Sequence, residues 1–429
     1  MHKDYTSYNL DNGVRLIFMP TDKFKTISIG LFLHQELMPE LAAKNALLPS
    51  VLEQGCKTYP DFLSLQRKLE SLYGAQLGTD IIKSGERHIM AFTLETAHDR
   101  FLGEETDLLN EGMAILSSVV TDPLIEEKAF HEDYVRQEKS QMIKDIKAML
   151  NDKITYALER CLALMCAEEK YGVFKLGKIE DYENISPAEL YEYYNQVFSS
   201  NPLDLYIVGD LDQQRVIEAA ESAFQFKRSG ALKILEESDI MRPVKEVRYY
   251  EETMTVNQSK LVLGYRTYTG FKDNLYCPLL VYSGVLGGFP HSKLFMKVRE
   301  EAGLAYYIHS RLEQHKGLMV ISAGINYEDK DKACEIIDRQ LLDLKEGKIS
   351  DTELYNTKRG LINQLRSRQD SPNQLISFHL DGQIGGRTYT MDEIAEGIEA
   401  VGRDDIMKVA ERIKADTVFL LKPKAEGEI

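Results

Sequence analysis

Apolar and polar positions alternate along Thr26–His34 (TISIGLFLH), with Ile27, Ile29, Leu31 and Leu33 on one side. A period of two predicts a half-buried β-strand. Ahead of it, Tyr5–Leu10 and Val14–Met19 flank Asp11-Asn12-Gly13. Asn-Gly accepts the positive φ of a tight turn, so this stretch predicts a hairpin. The period then lengthens. Helices are expected over about Glu40–Gln54 and Asp61–Leu72, and strands over Ala75–Ile82 and Arg87–Leu94. Further helical patterns run over about Glu105–Val120, Glu126–Leu150, Ile154–Glu168 and Pro187–Phe198, before a strand at Leu203–Val208 (LDLYIV). Ser186-Pro187 is a good helix start, because Ser caps and Pro is tolerated at the first helical position.

From Phe224 to Val247 no period holds, and the stretch contains Gly230 and Pro243. It reads as a linker (224–247) between a domain at 1–223 and another at 248–429. After it the order of elements repeats. Strands are expected at Lys260–Tyr265, Leu304–Arg311, Lys316–Asn326 and Val418–Leu421. Helices are expected at Asn274–Leu286, Lys293–Glu301, Asp329–Lys345, Asp351–Arg368 and Asp404–Lys414. Two local matches occur in the same order: Leu69–Ala75 with Val298–Leu304, and Ile185–Leu190 with Val401–Ile406. In the first, each half has a helix end, a glycine and then a strand, and glycine is favoured just past a helix end. The expected fold is α+β: two homologous domains, each a mainly antiparallel sheet with helices packed on one face.

Composition narrows the function. A net charge of −16 argues against a nucleic-acid binder, since phosphate contacts need clustered Lys and Arg. The five cysteines make no CxxC pair, and their scatter suggests reduced thiols and a cytoplasmic setting. The opening MHKDYTSYNLDNG lacks the apolar core of a signal peptide, and no run approaches a membrane span.

With these elements in place, YNLDNGVRLIFMP followed by TISIGLFLH resembles the start of insulinase/pitrilysin-type metallopeptidases. The second half resembles them more specifically at SKLFMKVREEAGLAYYIHS, Ser292–Ser310, through the VRE-x-x-GLAY string. Such peptidases carry His-x-x-Glu-His on a helix. Two His four residues apart share a face and hold zinc, and the Glu serves the zinc-bound water as general base. Aligned on Gly55–Pro60, that motif falls here on Ala46-Leu47-Leu48-Pro49-Ser50. Ala46 and Ser50 replace the His residues and Pro49 the Glu. Pro49 is expected to disturb the helix unless it lies in the first turn. The family's third ligand falls near Asp145. Asp145 and Glu138, two turns earlier, are expected on a solvated or interface face. None of the nine histidines forms HExxH, HxxEH or HxxxH; His309 and His315, six apart, read as surface or packing residues. No metal is expected on this chain.

The resemblance also assigns Arg299 and Tyr306. In the family an Arg and a Tyr seven residues on reach into the central chamber and contact the substrate backbone. Without the resemblance, Arg299 would read as an ion-pair partner and Tyr306 as half-buried. Gly287 and Gly288 fall where some non-catalytic subunits carry a glycine-rich loop; here the run is short and reads as a plain turn, with loop contacts as the alternative. The resemblance implies a non-catalytic subunit of a heterodimeric zinc peptidase. A zinc-motif-bearing homologous partner would hold the zinc, with a homodimer in its absence, and this chain would bind peptide and contribute Arg299 and Tyr306. The alternative is a non-proteolytic peptide-binding or scaffold protein of the same fold. Neither reading involves nucleic acid or membrane.

Overall fold

The strands of the computed structural model, in chain order, are β1 (Thr6–Asn9), β2 (Arg15–Pro20), β3 (Thr26–Glu36), β4 (Gln76–Ser84) and β5 (Arg87–Ala97). They continue with a two-residue pair, β6 (Ile125–Glu126) and β7 (Ala129–Phe130), then β8 (Leu203–Gly209), β9 (Arg248–Met254) and β10 (Ser259–Arg266). The last are β11 (Ala305–Glu313), β12 (Leu318–Ile325) and β13 (Lys414–Pro423). The helices are α1 (Pro39–Glu53), α2 (Phe62–Ser71), α3 (Leu108–Thr121), α4 (Glu132–Asn151), α5 (Lys153–Met165), α6 (Ile179–Asn184) and α7 (Pro187–Ser200). They go on as α8 (Gln213–Ala223), α9 (Tyr276–Ser283), α10 (Lys330–Lys345), α11 (Asp351–Ser367), α12 (Pro372–Ile384), α13 (Met391–Ala400) and α14 (Arg403–Arg412). The structure describes residues 5–102, 106–228 and 231–424; Glu105 and Gly230, named above, lie outside them. No helix among the described residues is long and apolar enough to cross a membrane.

The chain forms two compact units. Unit 1 takes residues up to 147, 173–236 and 370–377; unit 2 takes 148–172, 237–369 and the chain from 378 on. In unit 1 the sheet order is β1-β2-β8-β3-β5-β4, with β2 and β8 parallel and every other pair antiparallel. In unit 2 it is β11-β12-β10-β13-β9, with only β13 and β9 parallel. Reversing the second list aligns β9, β13, β10, β12 and β11 with β2, β8, β3, β5 and β4, parallel pair included. The fold is α+β, and the repeat expected from the sequence is a repeat of strand order.

In unit 1 Ile27, Ile29, Leu31 and Leu33 of β3 share a core with Ala46, Leu47 and Leu48 of α1 and with Met113 and Leu116 of α3. The strand is not half-buried, however: every residue between its two ends is buried. On the other face Phe32 packs edge-on against Tyr206, ring centroids 5.4 Å apart, and Ile376 lies beside Gly30. A central strand covered on both faces loses the exposed side that alternation assumes. The helix expected from Glu126 starts only at Glu132, because Glu127 and Lys128 take positive φ (47° and 67°) in the turn between β6 and β7. In unit 2, Val262, Leu318, Val320, Phe419 and Leu421 pack against Ala157, Cys161 and Leu162 of α5.

Each sheet holds a buried ionic cluster. In unit 1 Arg15 on β2 grips Asp204 on β8 with two hydrogen bonds of 2.9 and 2.5 Å, and His34 on β3 reaches the same carboxylate at 3.2 Å. Burial pushes the Asp204 carboxyl up, but the bonds from His34 and Arg15 outweigh it and bring it down to about 2. In unit 2 Arg248 on β9 and Arg266 on β10 both bind Asp416 on β13, at 2.5 and 2.9 Å. Arg266 also binds Glu169 (2.5 Å), which pairs with the fully buried Lys316 at 2.8 Å.

Candidate functional site

The positions that would carry zinc lie in unit 1. Helix α1 runs unbroken from Pro39 to Glu53 with Pro49 in its interior, so the expected disturbance does not end the helix. One missing N–H is tolerated where the flanking Leu47, Leu48, Val51 and Leu52 are buried in the core. Ala46 is buried in that core and Ser50 is half-buried. Asp145 on α4 is exposed and accepts a 2.8 Å hydrogen bond from Gln141. Glu138 departs from expectation. It is buried, accepts from Gln54 Nε2 at 3.0 Å, and its carboxyl is raised by burial and then by the nearby Glu53. Glu53 is itself raised by burial and accepts from Thr79 Oγ1 at 2.6 Å. Gln54, Glu53 and Thr79 were not singled out from the sequence; their signal is only adjacency to the motif position.

This donor set does not fit zinc. Alanine and proline side chains offer no donor atom, a neutral serine hydroxyl is a poor ligand, and Glu138 is already held by an amide. Among the described residues no group of three or more His, Cys, Asp or Glu could hold a metal ion. What α1 does carry is a buried polar link. Asn45 binds His88 Nδ1 at 2.9 Å and accepts a hydrogen bond from the Tyr193 hydroxyl. Burial lowers the His88 imidazole to about 3, so it stays neutral and serves packing.

Arg299 and Tyr306 lie in unit 2, on backbone that is irregular at both positions. Arg299 sits in a π-helical segment (Phe295–Glu301), a widened turn of the kind that recurs at functional sites. Its guanidinium lies over the Phe295 ring, 4.7 Å from the centroid, and 3.6 Å from the Glu300 carboxylate. The segment ends at Gly303 with φ of +64°, where the Leu304 N–H donates to the Val298 carbonyl at 3.0 Å. In unit 1 Gly74 has φ of +76° and the Ala75 N–H donates to Leu69 at 3.0 Å, so the first sequence match is a match of helix ends.

Tyr306 follows at the start of β11. The register to β12 slips there, Ala305 facing Ile325 and Tyr307 facing Gly324, which leaves Tyr306 as the extra residue of a bulge. A bulge re-aims one side chain out of the pleat, and Tyr306 is 76% exposed, not half-buried. Gly287 and Gly288 close a second π-helical stretch (Gly284–Gly288) that continues α9, so they are helical and not part of a turn. Gly287 is buried, and a Cβ there would stand 2.6 Å from the Ser310 backbone nitrogen, so its role is close approach to β11.

The family profile described as "Peptidase M16 inactive domain" matches residues 184–361. A Bacillus subtilis protein named "Probable inactive metalloprotease YmfF" is 35% identical over 96% of this chain and 96% of its own. An "Uncharacterized zinc protease YmxG" of the same organism is 21% identical over 98% of each chain. The crystal structure of a conserved protein from Enterococcus faecalis V583 superposes with a TM-score of 0.91 at 28% identity, covering 99% of this chain and 100% of that one.

Proposed function

The chain belongs to the M16 family, the insulinase/pitrilysin-type peptidases, as an inactive homologue, and on that footing we propose that it is the non-catalytic subunit of a heterodimeric zinc peptidase. One contrast carries the reading. The positions of the zinc motif hold Ala46, Pro49 and Ser50, while Arg299 and Tyr306 remain exposed on a widened helix end and a bulge. A guanidinium fork and a neutral phenol are donors suited to a peptide carbonyl and to the oxyanion formed when it is attacked. Partially stacked on Phe295, Arg299 is pre-set in direction. A zinc-motif-bearing homologue would be the partner, with self-association in its absence. Peptide would add as a strand to an open sheet edge, which reads backbone more than sequence. The cytoplasm is the proposed compartment.

The test mixes this chain with the zinc-motif homologue of the same genome and follows peptide cleavage. We expect the chain alone to be inert, the mixture to cleave, and Arg299→Ala or Tyr306→Phe to lower kcat about tenfold or more while the complex still forms. Cleavage by the chain alone would refute the reading. A stable complex that holds peptide and never cuts it would refute it in favour of a non-proteolytic peptide-binding or scaffold role.

A further inference from the structure

The strand orders of the two sheets match except at one end. In unit 1 the outer side of β2 is taken by β1. In unit 2 β9 holds the place of β2, parallel to β13 as β2 is to β8, and it ends its sheet. The chain just ahead of it, 237–247, forms no strand. The outward amide and carbonyl groups of β9 therefore have no neighbouring strand among the described residues, and such an edge is a template for another chain.

The other three edges of the large sheets are blunted. β1 has four residues, all exposed. β4 is tied near its end to segment 173–175, where Lys83 Nζ donates to the Val173 carbonyl at 3.0 Å and Lys175 Nζ to the Ile81 carbonyl at 3.1 Å. β11 is broken by the bulge at Tyr306. β9, in contrast, keeps unbroken register with β13 over all seven residues and holds no proline or glycine. Charged side chains can guard an edge, but here they are drawn onto their own unit. Arg248 binds Asp416, Glu251 binds Lys330 (2.9 Å) and Lys422 (3.0 Å), and Glu252 binds Arg160 (2.6 Å) and the Tyr156 hydroxyl (2.7 Å). Tyr249 is left 72% exposed.

The sequence of β9 is its own complement in one register. A two-fold axis perpendicular to a sheet sets one residue opposite its own copy. Centred on Arg248 it opposes two arginines, and centred on Glu251 or Glu252 it opposes two acids; centred on Tyr249 it brings Glu246 against Glu252. Centred on Tyr250, it sets Tyr250 against Tyr250, Tyr249 against Glu251, and Arg248 against Glu252, the last two pairs occurring twice. Aromatic and opposite-charge pairs are the contacts that stabilise an antiparallel ladder. The Arg248 and Glu252 side chains are 36% and 27% exposed, so each keeps surface for a neighbour. Arg248 also shares Asp416 with Arg266, which favours a further acid beside it. We infer that β9 pairs antiparallel with β9 of a second copy of this chain, centred on Tyr250, so that two unit 2 sheets become one. A contact of this size makes a weak, reversible dimer. It uses neither Arg299 nor Tyr306 and stands apart from the subunit reading.

Sedimentation of the full chain should show a monomer–dimer equilibrium with Kd on the order of tens of micromolar. Tyr249→Glu sets an acid against Glu251 on both sides of the axis and should weaken the dimer about tenfold; Tyr249→Lys sets a base there and should tighten it by a similar factor. The position is exposed, so neither change should move the melting temperature. Under copper-catalysed oxidation Tyr250→Cys should cross-link to its own copy. Tyr249→Cys, which faces Glu251, should stay at the level of wild type, whose five cysteines are buried or half-buried. A chain monomeric throughout would overturn the pairing and leave the edge to an unrelated strand. Equal Kd for the two charged variants, or equal cross-linking at 249 and 250, would overturn the register. A dimer indifferent to β9 and lost on changing Arg299 and Tyr306 would belong to the subunit interface instead. Should Tyr250→Cys fail to fold, the opposite responses of Tyr249→Glu and Tyr249→Lys still decide it.

Discussion

The two sheets place an ionic cluster on matching strands and complete it differently. In unit 1 the third member is His34, so Arg15, Asp204 and His34 all come from three neighbouring strands. In unit 2 the corresponding place on β10 holds Arg266, and two arginines now share Asp416. The second acid is Glu169, just beyond α5, and it balances Lys316 as well. Each sheet therefore depends on different parts of the chain. The first is locked by its own strands. The second needs a carboxylate carried by 148–172, and Arg266 and Arg248 also donate to the Met165 carbonyl at the end of α5.

The comparison breaks most visibly at Glu169. Glu169→Ala would remove the acid that Arg266 and Lys316, 2% and 0% exposed, share, and leave Arg266 only its bond to Asp416 as an ion pair. Removing one member of a buried network costs about 3–5 kcal/mol. Hydrogen exchange of the β10 and β13 amides should rise accordingly while β3 and β8 stay protected; an unchanged β10 would mean the network is ornamental. Next comes Asp204→Asn. The Asp204 carboxyl is held down at about 2 in the folded chain, below its unfolded value near 4. Its contribution is therefore complete above about pH 4 and is lost as pH falls from about 4 towards 2. Wild type should lose about 2 kcal/mol of unit 1 stability across that window, and Asp204→Asn should start lower and lose less, followed by circular dichroism in acid. The smallest effects sharpen the symmetry. Gly74→Ala and Gly303→Ala place a side chain at positive φ with nothing within 4 Å, so only backbone strain is added. Each should cost about 1 kcal/mol, and unequal shifts in melting would show that the two helix ends are not equivalent.

Much of this was legible in the sequence. Hairpin β1–β2, helix α7 with its Ser186 cap and the helix end at Gly303 follow from local chemistry that the tertiary structure leaves alone. Other elements carried no such signal. Strand β9 (RYYEETM) is a polar edge strand, and α12 starts at a proline and has no clear apolar stripe. The burial of the second face of β3 depends on Tyr206 and Ile376, residues far away in sequence. The clusters did leave a trace that periodicity cannot use: Asp204 and Asp416 are single acids within apolar strands, and a lone acid in a core demands a partner. At the candidate site the loss of donors at Ala46, Pro49 and Ser50 was readable directly. The reach of Tyr306 was not, because a bulge depends on how one strand registers with another.

The crossed composition of the units bears on how the protein is made. Unit 1 takes residues 370–377, which the ribosome adds after most of unit 2 but before its strand β13, while 148–172 waits for sheet strands that come later. Neither half of the gene therefore encodes a finished module. A fragment ending before residue 370 would present β3 with the cover beside Gly30 missing, and separately expressed halves would mature only by exchanging these segments with each other.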